Sequence, residues 1–425
     1  MNPSPRLSRR GFLKRTTLLA AGAVAAPAIV PRDALAAADR PGANDRVVIG
    51  FIGTGGRARQ LMDHVPADGQ IVAISDCFPQ RMTETLKQKS TDWKTYPDYH
   101  KMFDAERLDA VVVATPDHAR VLPCIHACQA GLDVYAEKPL TLTIAEGRVL
   151  VNAARKYKRV FQVGSQQRTM EMNRFACEFV RNGGVGKVHT ILGVNYPGPN
   201  VYTGLPEQPV PERFDWDRWC SQAPLRPYNP QLHFGWMGWR AYSGGQVTNW
   251  GAHGLDQVQW AVGASESGPV EIWPATEGPN GQVQMRYANG VLLRLELEQG
   301  PMGGAIFVGD AGKIEINRNK FTTNPPDLIK DPPEPATAEI WEGPGWIARP
   351  HIQNWLDCIK TREKPNADVE IGHRSISVCH LTNIAREVGR KLRWDPENET
   401  FAGDDEANCY LDRPKRKGYE LPDPV

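Results

Sequence analysis

VVIGFIGTGGRA, residues Val47 to Ala58, joins an unbroken apolar run to a glycine-rich turn. Six residues without polar alternation mark a strand buried on both faces, as in parallel sheets covered by helices. The turn Gly53-x-Gly55-x-x-Ala58 that follows lets the backbone approach a pyrophosphate at the start of a helix. A strand, this turn and a helix in succession form a dinucleotide-binding fingerprint. Asp76 follows Gly53 by 23 residues, at the end of the next β-rich run. A carboxylate there accepts from adenosine ribose hydroxyls and repels a 2′-phosphate, so NAD is favoured over NADP.

Downstream the same texture repeats. IVAISD (71–76), DAVVVATP (109–116), DVYAEKP (133–139) and RVFQVGS (159–165) alternate with helical stretches such as HARVLPCIHACQAG. This pattern predicts a doubly wound parallel sheet whose ligand lies at the carboxyl ends of the strands. Beyond about residue 185 the strands come in hairpin-like pairs, turning at Asn289-Gly290 and at Asp310-Ala311-Gly312, which predicts antiparallel pairing. A Pro- and Trp-rich stretch, 197–245, precedes the first hairpin. Late helices are expected at about 350–361 and 373–390, ahead of an irregular tail.

Upstream, SRRGFLK (8–14), the weakly apolar TTLLAAGAVAAPAIV (16–30) and ALA (34–36) have the basic, apolar and small-residue regions of a cleaved twin-arginine export signal. The apolar run is too short, at 15 residues, to span a bilayer. The expected organisation is a signal peptide over 1–36, a Rossmann domain over 45–165, a substrate-binding and oligomerisation domain over 166–395, and a tail over 396–425. The expected location is the periplasm. Six of the 50 basic and one of the 49 acidic residues lie in 1–36, which leaves 44 against 48 and a formal charge of −4. That balance, without a basic run, argues against nucleic acid. No later segment has the length and apolarity of a membrane span. The eight cysteines include no C-x-x-C pair and no Cys/His spacing of a zinc site, so no metal is expected.

Two further stretches carry chemistry. AEKPL (136–140) ends a predicted parallel strand and puts Lys138 where such sheets gather active-site groups, positioned to stabilise a developing alkoxide. An isolated lysine would be read as a solvated surface group. GGQVTNWGAHGLDQVQW (244–260) supplies Asn249, His253 and Asp256. If one helix begins near Asn249, Asn249 and His253 share a face, and a neutral imidazole there can accept a hydroxyl proton. The alternative makes Asn249 an N-cap and His253 a satisfied buried histidine.

Taken in order, the glycine loop, AEKP, GSQQR and GG…GAHGLD resemble the glucose–fructose oxidoreductase, inositol dehydrogenase and rhizopine-catabolism (Gfo/Idh/MocA) oxidoreductases. The resemblance implies a Rossmann domain followed by an α+β domain with an open-faced, largely antiparallel sheet that builds a dimer or tetramer. By motif, Lys138 and His253 match the family's catalytic lysine and histidine, and Asn249 stands where many members have aspartate. Arg120 stands where many have histidine. The cofactor-binding residues expected are Gly53, Thr54, Gly55, Gly56, Arg57, Asp76, Thr115, Pro116, His118, Glu137 and Lys138. Arg168, Tyr242, Asn249 and His253 are the expected substrate residues, and a sugar or cyclitol suits the aromatic-rich insertion. An exported nucleotide enzyme has no pool from which to exchange its cofactor, so redox-neutral turnover is expected. A sugar oxidoreductase with retained cofactor is the leading reading, and an NAD-dependent glycosidase or lyase acting by transient oxidation is its alternative. A sugar-binding relative without turnover and an ordinary dehydrogenase complete the field.

Overall fold

The computed structural model describes residues 45–333 and 348–422, together with Gly42. The expected signal peptide lies outside these residues. From Val47 onward the described residues form one compact unit.

The first sheet contains β1 (Val47–Ile52), β2 (Gly69–Ser75), β3 (Lys94–Tyr96), β4 (Ala110–Val113), β5 (Asp133–Ala136) and β6 (Phe161–Val163). All of its pairings are parallel, in the order β3-β2-β1-β4-β5-β6. The order reverses between β1 and β4, the switch point at which a doubly wound sheet opens its ligand crevice. Gly53, directly after β1, has φ +88°, and a Cβ there would stand 2.8 Å from the Ala114 carbonyl oxygen. Only glycine fits the turn from β1 into the crevice.

The second sheet runs β13-β12-β11-β7-β10-β9-β8-β14-β15. Its strands are β7 (Val188–Val194), β8 (Pro269–Pro274), β9 (Val283–Tyr287), β10 (Leu292–Leu297), β11 (Ala305–Gly309), β12 (Gly312–Asn317), β13 (Lys320–Asn324), β14 (Leu392–Asp395) and β15 (Thr400–Phe401). Both predicted hairpins form, β9 with β10 and β11 with β12. The pairing of β7 with β10 is parallel, and the other ladders are antiparallel.

One apolar core joins the two sheets, running from Val111 and Val134 of the first to Ile191, Leu293 and Phe307 of the second. The helix Arg349–Thr361 carries packing from the second half of the chain onto the first sheet. Its Ile352, Trp355 and Leu356 pack against Val47, Ile49 and Phe51 of β1. A segment late in the sequence thus covers one face of the first sheet, burying apolar side chains worth roughly 1.5–3 kcal/mol each.

Between β7 and β8 the Trp-rich insertion builds a small core of its own. Phe214, Trp216, Trp219, Tyr228 and Tyr242 gather with Phe78, which follows β2. The stacked indoles of Trp216 and Trp219 lie 4.5 Å apart. Seating this core on Phe78 holds the insertion beside the crevice.

Candidate active site

A cleft of about 620 Å³ opens at the carboxyl ends of β1, β2, β4 and β5. Gly53, Gly55, Gly56 and Arg57 line one wall, with Asp76, Thr115, Pro116, Glu137 and Lys138. A Cβ at Gly56 would meet nothing within 4 Å, and one at Gly55 only Arg81, so open space for a dinucleotide stands over the loop. Thr54 is fully buried and positions Asp76 instead of facing the cleft. Its amide and hydroxyl both donate to Asp76 Oδ2, each at 2.8 Å. Phe78 N donates to Oδ1 at 2.9 Å. The carboxylate therefore retains acceptor capacity for one ribose hydroxyl, where the sequence suggested two. His118 also departs from its expected place. It is buried away from the cleft, its Nε2 lies 2.8 Å from the Trp219 carbonyl, and burial lowers its pKa to about 3. This histidine seats the insertion. Arg57 Nε donates to Glu137 at 2.7 Å, which fixes the far side of the glycine loop to the end of β5.

Lys138, directly after β5, extends across the cleft to Asn249. Its Nζ donates to Asn249 Oδ1 at 2.9 Å and to the Asn249 carbonyl at 3.1 Å. Burial lowers the Lys138 pKa to about 8, although Glu137 and Asp117 favour its charged form. Asn249 Nδ2 is anchored on Gln246 Oε1 at 3.0 Å. The expected Asn249–His253 pair does not form. The helices Gln246–Asn249 and Gly251–Ala261 meet at Trp250, whose backbone stays helical, and both Asn249 and His253 line the cleft, but Asn249 serves the lysine.

His253 reaches the cleft because its helix lies close on the second sheet. A Cβ at Gly254 would stand 2.8 Å from the Gly304 carbonyl, so glycine permits the approach. His253 is 6% exposed. Its Nε2 lies 2.8 Å from Nη2 of Arg318. Burial first, then the charges of Lys138, Arg318 and Arg57, hold its pKa well below the usual imidazole value.

Arg318 is a cleft residue that the sequence reading missed. It sits in the turn between β12 and β13, donates from Nε to Gln167 Oε1 at 3.1 Å, and lies over the Trp250 ring at 5.2 Å. Burial and Arg57 lower its pKa to about 10. In the sequence, NRNK reads as an ordinary polar hairpin turn. Only the tertiary seating of that hairpin brings the arginine into the cleft.

Two expected substrate residues lie elsewhere. Arg168 is buried, with Nε 2.8 and 3.0 Å from the two Asp256 oxygens. Asp256 also accepts from Ser375 at 2.6 Å. This internal pair commits Asp256 and supplies no charge to His253. Tyr242 is fully buried in the insertion core, packed on His118 and Trp219. The insertion instead presents Trp219, Phe234, Trp236 and Met237 to the cleft, with Phe234 68% exposed. Arg120 is buried and ties the turn after β4 to the one after β5 through the carbonyls of Thr115 and Pro139. Among the described residues no cluster of three or more His, Cys, Asp or Glu could hold a metal ion.

Residues 47–165 match the Gfo/Idh/MocA family part described as "Oxidoreductase family, NAD-binding Rossmann fold". Residues 200–421 match its "Oxidoreductase family, C-terminal alpha/beta domain". The chain is 25% identical over 218 residues to the rhizopine catabolism protein MocA of Rhizobium meliloti, covering 51% of this chain and 58% of that protein. It is 30% identical over 148 residues to the inositol 2-dehydrogenase of Pseudomonas fluorescens, covering 33% and 43%. The alignments thus span about half the length of these curated relatives. In fold it is similar to an aldose-aldose oxidoreductase from Caulobacter crescentus, solved with glycerol, with a TM-score of 0.59, 19% identity and coverage of 82% and 99%. With a lysine at the end of β5 facing the second half of the chain, and both halves matched in order, this protein belongs to the Gfo/Idh/MocA oxidoreductases and carries their NAD-binding Rossmann fold.

Proposed function

We propose that this protein oxidises a secondary hydroxyl of a sugar or cyclitol, keeps its dinucleotide bound, and turns over without net redox change in an exported compartment. The observation that carries the reading is the placement of Lys138, bound to Asn249, in the same cleft as the glycine loop and Asp76. Bound NAD supplies the hydride acceptor. Gly53, Gly55 and Gly56 give the loop its close approach, Asp76 offers one acceptor to the ribose, and Lys138 and His253 flank the reacting end.

The proton is assigned to Lys138. A proton acceptor works best with a pKa near the working pH. Lys138, at about 8, meets that condition. His253 is neutral, but three neighbouring cations oppose its protonation, and Arg318 occupies its Nε2 lone pair. In this assignment the amine takes the hydroxyl proton, the resulting ammonium returns it on reduction, and Arg318 with His253 orients the substrate oxygen. Cyclitol and aldose substrates are supported by the likeness to the relatives above. The signal-like N-terminal sequence supports export with the nucleotide enclosed, and the open face of the second sheet is the proposed site of homo-oligomer formation.

A second reading, a glycosidase or lyase acting by transient oxidation, is favoured by the apolar rim of Phe234, Trp236 and Met237, which suits an aglycone. The test is to purify the exported protein, identify its bound nucleotide by mass spectrometry, and add sugars and cyclitols with no nicotinamide. Reduction of the resident nucleotide by a polyol supports the proposal. Absence of any bound or bindable dinucleotide refutes it, and release of an aglycone selects the second reading.

A further inference from the structure

The cleft extends well beyond its reacting end. On the far side, Pro97 and Tyr99 follow β3, and Leu122 and Pro123 begin the helix after β4. In a doubly wound sheet the half of the crevice that holds the ribose-binding carboxylate takes the adenosine. Asp76 puts that half here. The outer wall, however, does not come from the Rossmann strands. It is built by Arg218, Trp219 and Ser221 of the insertion and by Tyr419, six residues from the end of the chain.

The last segment is fastened to both parts that it covers. Thr143 Oγ1 donates to Asp412 at 3.1 Å. Arg413 donates from Nε to the fully buried Glu146 at 2.8 Å, and from its two Nη atoms to the carbonyls of Ala241 and His118, each at 3.2 Å. Arg416 donates to the Ser221 carbonyl at 3.0 Å and the Asp217 carbonyl at 2.7 Å, and pairs with the Asp217 carboxylate. Tyr419 donates to Asp217 Oδ1 at 2.9 Å, and the Arg416 guanidinium lies 4.4 Å from its ring. Arg218 in turn pairs with Asp98 at 2.7 Å, which ties the wall to the loop after β3.

We infer that Tyr419, which lines the cleft and is held there by the segment from Asp412 to Arg416, is a binding element for the adenosine half of the dinucleotide and that it governs how slowly the cofactor leaves. A nucleotide seated between Asp76 and Tyr99 cannot leave past Tyr419 until the hydrogen bonds of Tyr419 and Arg416 to Asp217 open. Most differences in affinity at one site are carried by the dissociation rate. This inference rests on the proposed retention of NAD and supplies a structural cause for it.

The test is the rate at which bound NADH leaves the full-length protein, read from its fluorescence when excess NAD is added. Tyr419→Ala and Arg416→Gln are each expected to release NADH at least about tenfold faster than the wild type, the change falling in dissociation. Release within about twofold of wild type, in variants with an unchanged unfolding transition, overturns the assignment. If either variant fails to fold, hydrogen exchange of residues 412–421 in the wild-type protein decides. Protection on addition of NADH supports the assignment, and unchanged exchange overturns it. A wild-type protein that binds no NADH overturns this inference together with the functional reading, whereas tight binding with unaltered release overturns this inference alone.

Discussion

Nη2 of Arg318 lies 2.8 Å from Nε2 of His253. A guanidinium has donors and no acceptor, so the ring nitrogen must accept. The imidazole is therefore neutral, with its proton on Nδ1. Replacing Arg318 with Met removes the donor and one of the cations that oppose protonation, and the His253 pKa is expected to rise toward its ordinary value. Nitrogen-15 NMR of labelled histidines reports both tautomer and titration. A wild-type His253 that titrates near its ordinary pKa of 6.5 would contradict the arrangement.

Lys138 sets the pH dependence. Its pKa is lowered, so the amine is the minority form below about pH 8 and the majority form above it. Single-turnover oxidation of a polyol is expected to accelerate through that region and then level off. Lys138→Met keeps the bulk of the stem and removes the proton acceptor and its charge, a loss of about 3 kcal/mol or more in the barrier by comparison with oxyanion donors. Dinucleotide affinity should be retained. A variant within about tenfold of wild-type turnover would remove Lys138 from the chemistry.

Asn249→Asp tests the partner of Lys138. A carboxylate in place of the amide oxygen, 2.9 Å from Nζ, favours the ammonium and raises the lysine pKa. The rising limb of the pH profile should move to higher pH, with slower oxidation at neutrality. A limb that stays in place would mean that Lys138 does not titrate in the reaction.

The fold was largely legible in the sequence. The unbroken apolar strands before Gly53, Asp76 and Lys138 announced a parallel sheet, and the turns at Asn289 and Asp310 announced the hairpins. The helix Arg349–Thr361 was visible as a helix, but its docking on β1 was not, since amphipathicity names a buried face and not the surface that buries it. The same limit hid Arg318. Spacing within one element brings Asn249 and His253 to the same cleft, but it does not show that each takes a partner from elsewhere in the chain, Lys138 for Asn249 and Arg318 for His253. Arg168 and Tyr242 misled for a related reason, because polar groups suited to a substrate are equally suited to a buried partner such as Asp256.

Asp76 carries two duties, and one substitution removes both. Asp76→Ala removes the acceptor for Thr54 and Phe78 as well as the one left for ribose. Net losses of about 0.5–1.5 kcal/mol per hydrogen bond should lower the unfolding temperature as well as weaken NAD. Calorimetry of NAD binding and of unfolding checks both. Weaker NAD with unchanged stability would mean that the loop does not depend on this carboxylate.

The central claim is that a polyol hydroxyl is oxidised by a nucleotide that stays bound from one turnover to the next. The most direct measurement follows the near-ultraviolet absorbance of reduced nicotinamide in the protein as isolated, with nothing added but a donor polyol and then an acceptor aldose or ketose. The account predicts one equivalent of reduction per site on adding donor, its reversal on adding acceptor, and repeated cycles without external nicotinamide. Arrest after a single equivalent, relieved only by added NAD, would contradict it.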